Sequence, residues 1–425
     1  MLKEIAIENF KSINDEQLFS MEACPKNQIS EFPNHVVTIG DQEILKVSSV
    51  YGPNGGGKTT LLDAIKYVKN IAFGNPIIIF TPDENTYIDS LINDNKESVF
   101  KIFFAHKQFE IGYIVKVDLS KSHPNSIYRL NNDTKEIIPD IKEEVLIKRE
   151  YNSKEFEIVY QRGNDGIVIS DSLNQLDFVN KKQTLASNIS FMSYILRTFG
   201  NNRSQEYLFP IYYLGDELGS IKILNRMVAN YIYTEEEVKQ ISIYLNKVTE
   251  CLKIVDLNID NLYFDLSKNL RNVYELFITR KVGNKSFTLP ISSESNGTKK
   301  FIALLFDIYR FDSDGIYIAD DFDACLHPKL VRCIIDLFNH VENNTKQLIF
   351  NSHDITNMNN QVFRRDEIWF AFRDDSYSSI YQPLSNIVNY KGEQIRKDAK
   401  FGKQYLEGRY GADPYISRGL SWEIK

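Results

Sequence analysis

Residues 52–59 read Gly-Pro-Asn-Gly-Gly-Gly-Lys-Thr, and Thr60 follows them. The spacing fits G-x-x-x-x-G-K-[ST], in which glycines let successive backbone N–H groups turn toward phosphate oxygens because no Cβ blocks positive-φ conformations. In that pattern Gly52, Pro53, Asn54, Gly55, Gly56 and Gly57 form a cradle. Lys58 reaches the β- and γ-phosphates of a nucleotide, the Thr59 hydroxyl holds Mg²⁺, and Thr60 lies beside them. A second set of reactive residues lies in the last third of the chain. The apolar run Ile316–Ala319 ends in Asp320 and Asp321, and carboxylates at the C-terminal end of a strand stand where α/β sheets place their ligands. Asp320 would coordinate Mg²⁺ directly or through water, and Asp321 would polarise an attacking water. Ser295-Asn296-Gly297-Thr298 opens a helical run and reads either as a further phosphate site or as a plain helix cap. The run from Gln347 ends in Asn351-Ser352-His353, where a neutral His353 could donate to a γ-phosphate.

These residues need particular elements behind them. The apolar run Ile44–Tyr51 predicts a strand, and Thr59–Ile71 carries helical spacing. Strand, glycine loop and helix together are the setting that phosphate binding requires, because the positive end of the helix dipole then faces the phosphates. From Leu289 onward helical and strand patterns alternate three times, which predicts an α/β fold with a parallel sheet. Residues 98–118 predict a hairpin about His106-Lys107-Gln108, and Val145–Arg149 with Glu155–Tyr160 predict another strand pair. Gln183–Phe199 and Glu235–Leu252 are helical in pattern but lack sustained heptads, so they predict a helical insertion and no long coiled-coil arm. Strand patterns return at Leu262–Asp265 and Val273–Lys281. The expected organisation is an N-terminal lobe at 1–171, a helical insertion at 172–255 and a C-terminal lobe at 256–425.

The composition bounds the function. The chain has 425 residues, 43% of them hydrophobic, with 24 Tyr and 27 Phe, which is globular and not disordered in character. No apolar run is long enough to span a membrane, and the start MLKEIAIENFKS alternates like a strand and does not read as a signal peptide. Cys24, Cys251, Cys325 and Cys333 are widely spaced apart from the last pair, which lacks a C-x-x-C spacing, so no zinc site and a reduced, cytoplasmic protein are expected. The net charge of −7 argues against strong sequence-independent DNA binding. The most basic stretch, Lys391–Arg409, reads either as a local basic surface or as a solvated helix face.

The order of P-loop, Ser295 loop, acidic strand, Asp323 turn and His353 resembles the layout of ABC-type ATPase heads. With Asn9-Phe10-Lys11-Ser12 ahead of the P-loop, the chain is similar to the branch that includes SMC, RecF-like and OLD-like proteins. More narrowly, ENFKSI, YGPNGGGKTTLLDAI, SESNGTKKFIALL, DDFDACLHP, LIFNSHD, RRDEIWF and the ending RKDAKFGKQYLEGRYGADPYI resemble the stand-alone AAA-type/ABC-like ATPases of bacterial abortive-infection and other phage-defence operons. The resemblance covers about 1–75 and 290–418. It implies an ABC-type head, with an antiparallel β subdomain beside the main sheet, that uses ATP and Mg²⁺.

By position, the resemblance puts Lys11, Ser12 and residues 52–60 around the nucleotide, with Thr59 and Asp320 on the metal. Ser295 and Gly297 become the signature loop that reaches a γ-phosphate held by the opposite subunit. Asp320 is the Walker B acid, Asp323 belongs to the D-loop, and His353 is the switch histidine. A Q-loop glutamine should lie between P-loop and signature, and Gln108 is one candidate. Where the family usually has Glu, this chain has Asp321, which withdraws the carboxylate by roughly 1 Å and can cost on the order of a hundredfold in rate, so slow hydrolysis is expected. The implied partners are a second copy or a larger ring, a separately encoded nuclease or toxin effector and a phage-encoded trigger, with no membrane involved. The stretch after His353 is too short to carry the TOPRIM nuclease of OLD-like enzymes. A DNA-repair or DNA-tethering ATPase is the alternative, while SESNGTKK departs from the transporter signature Leu-Ser-Gly-Gly-Gln.

Overall fold

The computed structural model describes residues 1–25, 29–75, 77–80, 97–119, 127–131, 134–173, 185–200, 206–224, 232–255, 259–267, 272–310, 315–340, 345–388 and 392–412. Residues 413–416 of the ending and Lys391 of the basic stretch lie outside the described residues. At the centre is a six-stranded sheet in the spatial order Ile221–Ile223, Ile316–Ala319, Gln347–Asn351, Val47–Tyr51, Ile368–Arg373, Ser379–Pro383. The first five strands are parallel and the last pairs antiparallel on the edge. The four inner strands are buried on both faces over nearly their whole length. Val50, Ile318, Ile349 and Trp369 point to one core with helix Lys58–Phe73. Their sequence neighbours Tyr51, Tyr317, Phe350 and Phe370 point to a second core with helices Asn296–Arg310 and Pro328–His340. The period-2 alternation of a strand therefore divides one sheet between two cores.

A seven-stranded antiparallel sheet shares the first core. Its order is Gly166–Ile169, Glu157–Gly163, Asp140–Glu150, Phe109–Asp118, Ser98–Ala105, Leu2–Glu8, Gln17–Ser20. Both predicted strand pairs belong to it. Its strand Leu2–Glu8 runs into the turn at Asn9–Ile13, which closes with Phe10 and Ile13 bonding each other's backbone at 2.9 Å. Among the described residues no helix is long and apolar enough to cross a membrane.

Three expectations are corrected. The apolar run Ile44–Tyr51 is two strands: Gln42–Leu45 pairs with Val36–Ile39, and Val47–Tyr51 enters the central sheet. The break falls at Lys46, whose buried ammonium donates to the Asn339 carbonyl at 3.2 Å. No third helix precedes Ile368–Arg373. Residues 352–367 are polar, lack helical periodicity, and fold as loop with short turns at Ile355–Asn357 and Arg365–Glu367. The described residues of 172–255 contain four α-helices, but they do not form one unit. Phe191–Phe199 and Phe209–Gly219 join the first core, Glu235–Ser242 and Leu245–Ile254 join the second, and Ile221–Ile223 between them is a strand of the central sheet. The basic stretch carries its own acids: Arg396 pairs with Asp398, while Lys403 and Arg409 both reach Glu407.

The β lobe and the helices behind the P-loop are joined through one buried carboxylate. Glu144 accepts from the Tyr113 and Tyr160 hydroxyls at 3.1 and 2.9 Å, and from Ser190 Oγ at 2.8 Å. It also accepts from the backbone N–H groups of Phe191 and Met192 at 2.7 and 3.1 Å, at the start of helix Phe191–Phe199. Ser190 and Ser193 in turn donate to the last carbonyls of the P-loop helix, Ala72 and Phe73. Glu144→Leu strands these buried donors together. We expect it to destabilise the protein by about 3–5 kcal/mol, read as a lowered denaturant midpoint.

Candidate functional site

The P-loop closes the C-terminal end of the central strand Val47–Tyr51. Gly57 stands at the N-cap of helix Lys58–Phe73 with a φ of 104° and no side-chain cap, so the first N–H groups of a 16-residue helix open into the loop. That uncapped donor set is what a phosphate would satisfy. The loop lies tight against the neighbouring strand Ile368–Arg373: a Cβ on Gly52, whose φ is 148°, would collide with the Ala371 carbonyl. Residues of the two strands beyond Val47–Tyr51 hold the outside of the loop. Arg373 donates from Nε to the Gly55 carbonyl at 2.7 Å, and the Tyr381 hydroxyl donates to the Gly57 carbonyl at 2.6 Å. Lys58 is buried and folded back, its ammonium donating to the carbonyls of Gly52 and Pro53 at 2.9 and 3.0 Å. Burial lowers its pKa, against the pull of Asp321, Asp320 and Asp323.

The acidic residues follow the strand Ile316–Ala319, and Asn351 and His353 end and follow the adjacent strand Gln347–Asn351. Thr59 Oγ1 donates to Asp320 Oδ1 at 3.0 Å, which joins the two residues expected on a metal. Asn351, at the end of Gln347–Asn351, donates its amide to the same Asp320 oxygen and accepts from the Asp321 N–H at 2.5 Å. Past Asp320 the chain turns sharply. Asp321 and Cys325 both adopt left-handed conformations, φ 44° and 65°, which cost about 1–2 kcal/mol each for a residue with a Cβ. His353 Nε2 lies 3.9 Å from Asp321 Oδ1, and both side chains are open to solvent. Asp323 Oδ2 accepts from the N–H groups of His353 and Asp354 at 3.2 and 2.8 Å, so this carboxylate holds the histidine loop in place. A cradle of N–H groups with one ammonium, a hydroxyl and a carboxylate in contact, and a second carboxylate beside a histidine, fits a magnesium–triphosphate group.

The Asn9–Ile13 turn flanks this cluster. Ser12 Oγ lies 3.3 Å from Thr60 Oγ1 and 2.7 Å from Ser379 Oγ. Lys11 turns away and pairs with Asp63 on the P-loop helix. Ser295 caps helix Asn296–Arg310, its Oγ accepting from the Thr298 N–H at 3.2 Å, so the cap reading of that loop holds in the single chain. Gly297 and Lys300 of the same helix lean on the Asp321–Cys325 turn. Gln108 sits in the hairpin turn beside Met1, at the far end of strand Leu2–Glu8 from Ser12, and so takes no part in the cluster. Asn351, Arg373, Ser379 and Tyr381 were not singled out in the sequence. Asn351 alone carried a local signal, a polar residue ending a buried strand next to His353.

A family model described as "AAA domain, putative AbiEii toxin, Type IV TA system" matches residues 47–358, from the P-loop strand past His353. No curated protein matches the sequence. Among solved structures, an SMC head domain from Thermotoga maritima is similar at 16% identity and a TM-score of 0.37, over 90% of this chain and 98% of that one. An SMC head bound to the C-terminal winged-helix domain of ScpA is similar at 14% identity and a TM-score of 0.41, over 90% of this chain and 97% of that one. An Smc head with an extended coiled coil, bound to the C-terminal domain of ScpA derived from Pyrococcus furiosus, is similar at 13% identity and a TM-score of 0.37, over 90% and 95%.

Proposed function

Starting from the AAA domain family to which this chain belongs, an ABC-like ATPase family, we propose that the protein is a nucleotide-gated component of an antiviral defence system. It binds ATP with Mg²⁺ between two copies of itself, responds to a phage product, and holds or releases a separately encoded nuclease or toxin. The observation that carries the two-copy reading is the exposure of the reacting groups. The side chains of Asp321 and His353 are 66% and 48% exposed in the single chain. Controlled hydrolysis needs water excluded from these groups, and a second surface must supply that cover. Ser295 and Asn296, themselves exposed at the start of a 15-residue helix, are the groups that the second copy would bring.

In this reading the Mg²⁺ neutralises charge on the transferred phosphoryl group. The chain's own residues do the rest. The P-loop N–H groups and Lys58 orient the triphosphate, Thr59 and Asp320 hold the cation, Asp321 orients the attacking water, and His353 reports on the γ-phosphate. Binding ATP then favours the paired state over the open one, and hydrolysis withdraws that preference.

Light scattering after size exclusion tests the assembly. Asp321→Asn protein with Mg-ATP should run as a dimer or larger, and Asp321→Asn with Ser295→Arg should run as a monomer. A protein that stays monomeric with Mg-ATP in both forms would remove the two-copy reading. Phage challenge of cells carrying the gene with its adjacent open reading frame, wild type against Lys58→Ala, tests the defence role; equal plaque counts would reject it.

A further inference from the structure

Among the described residues the Lys300 ammonium has no carboxylate within salt-bridge reach, and its hydrogen bonds go to backbone. It donates to the carbonyls of Asp321, Phe322 and Ala324 at 3.2, 3.1 and 2.8 Å. Those three carbonyls converge because Asp321 and Cys325 both take left-handed backbone conformations, φ 44° and 65°. On the same helix, Gly297 sits against the Cys325 carbonyl, which a Cβ there would meet at 2.5 Å. The first turn of the helix behind Ser295 and the turn carrying Asp321 are thus fastened at two points. One is a close backbone approach that needs glycine, and the other is a charge over three acceptors.

We propose that Lys300 is a positioning residue for hydrolysis. It holds the Asp321–Cys325 turn in the strained conformation that presents the Asp321 carboxylate to the nucleotide, and it transmits the seating of the Ser295 loop to that carboxylate. The proposal rests on the reading of Asp321 as the group that orients water. Lys300 donates to the backbone of the Asp321–Cys325 turn and not to the P-loop, so its loss should act on the rate of the bound state and leave affinity alone.

The test is single-turnover hydrolysis of radiolabelled Mg-ATP by the full chain, with ATP affinity measured in parallel. Lys300→Met should lower the rate constant by about tenfold to a hundredfold, with the dissociation constant for ATP unchanged. Lys300→Arg, which keeps several donors, should recover most of the rate. Lys300→Gln, which keeps fewer donors, should fall between and serves if the methionine variant does not fold. In an Asp321→Asn background, Lys300→Met should add almost nothing. A Lys300→Met protein as fast as wild type overturns the proposal. So does a loss of the same size in the Asp321→Asn background, because Lys300 would then act through something else. An Asp321→Asn protein as fast as wild type overturns the reading of Asp321 and this proposal with it. A slow Asp321→Asn protein beside an unaffected Lys300→Met protein overturns this proposal alone.

Discussion

Replacing Lys58 by alanine is expected to abolish tight ATP binding while leaving the fold in place. The two consequences separate because the side chain is buried for function and not for packing. Its ammonium rests on two carbonyls of its own loop, and no apolar cluster depends on it. Burial lowers its pKa, and Asp321, Asp320 and Asp323 counter that by favouring the charged form. A triphosphate entering the loop brings more negative charge than two carbonyl dipoles, so the ammonium exchanges partners at little cost. Removing it leaves three carboxylates and a polyphosphate with one cation fewer between them. Losing a single preorganised donor costs about 10²–10³ in rate, and losing a full charge in a buried site costs at least that, so we expect kcat/KM to fall by ~10³ or more. Calorimetric titration with a non-hydrolysable analogue measures the binding arm and thermal unfolding the other. Unaltered affinity in Lys58→Ala would mean that this loop is not where the nucleotide sits.

The parts of the site that the sequence disclosed are those built from local chemistry. The glycines of the P-loop and the carboxylates that end a strand are constrained within a few residues of themselves, so their placement at strand ends could be read without knowing the rest of the fold. Thr59 and Asp320, far apart in the chain, meet at 3.0 Å because each ends or follows a strand of the same parallel sheet, which orders their C-terminal ends along one edge. What escaped was set by pairing across long distances. Arg373 and Tyr381 brace the P-loop because the parallel strand Ile368–Arg373 lies beside the P-loop strand and the antiparallel edge strand Ser379–Pro383 lies next to it, and no spacing in the sequence announces those neighbours. Gln108 failed as a Q-loop candidate for the same reason: its hairpin was legible, but which end of the sheet it occupies was not.

The fold repeats this division. Periodicity found most strands and helices but not the break at Lys46. There the apolar run continues while the backbone changes sheets, and only the buried contact to Asn339 marks the change. The division of 172–255 between two cores was hidden too, because helical spacing shows which face of a helix is apolar and not what it meets. The buried Glu144 looks like any acid on a strand until five donors are seen around it.

Lengthening Asp321 to glutamate is expected to raise the rate of ATP hydrolysis by about tenfold to a hundredfold. The added methylene moves the carboxylate roughly 1 Å toward the site, and a misplacement of that size is worth up to about a hundredfold, or ~2.7 kcal/mol of barrier. The surroundings can accept it: the side chain is exposed, and His353 stands 3.9 Å away with room to shift. The backbone opposes the change mildly. Asp321 has a φ of 44°, a region where aspartate is tolerated better than glutamate, so the longer residue should lower thermal stability slightly even as it speeds the reaction. That combination, faster and slightly less stable, distinguishes improved reach from a general tightening of the site. Phosphate release at saturating Mg-ATP measures the first effect and thermal unfolding the second. The accompanying expectation is that the wild-type protein turns over slowly, so that nucleotide binding outlasts many catalytic lifetimes of an ordinary ATPase and the bound state itself carries the signal. Wild-type turnover of several per second, with no gain in Asp321→Glu, would show that the shorter carboxylate already reaches the water it must orient.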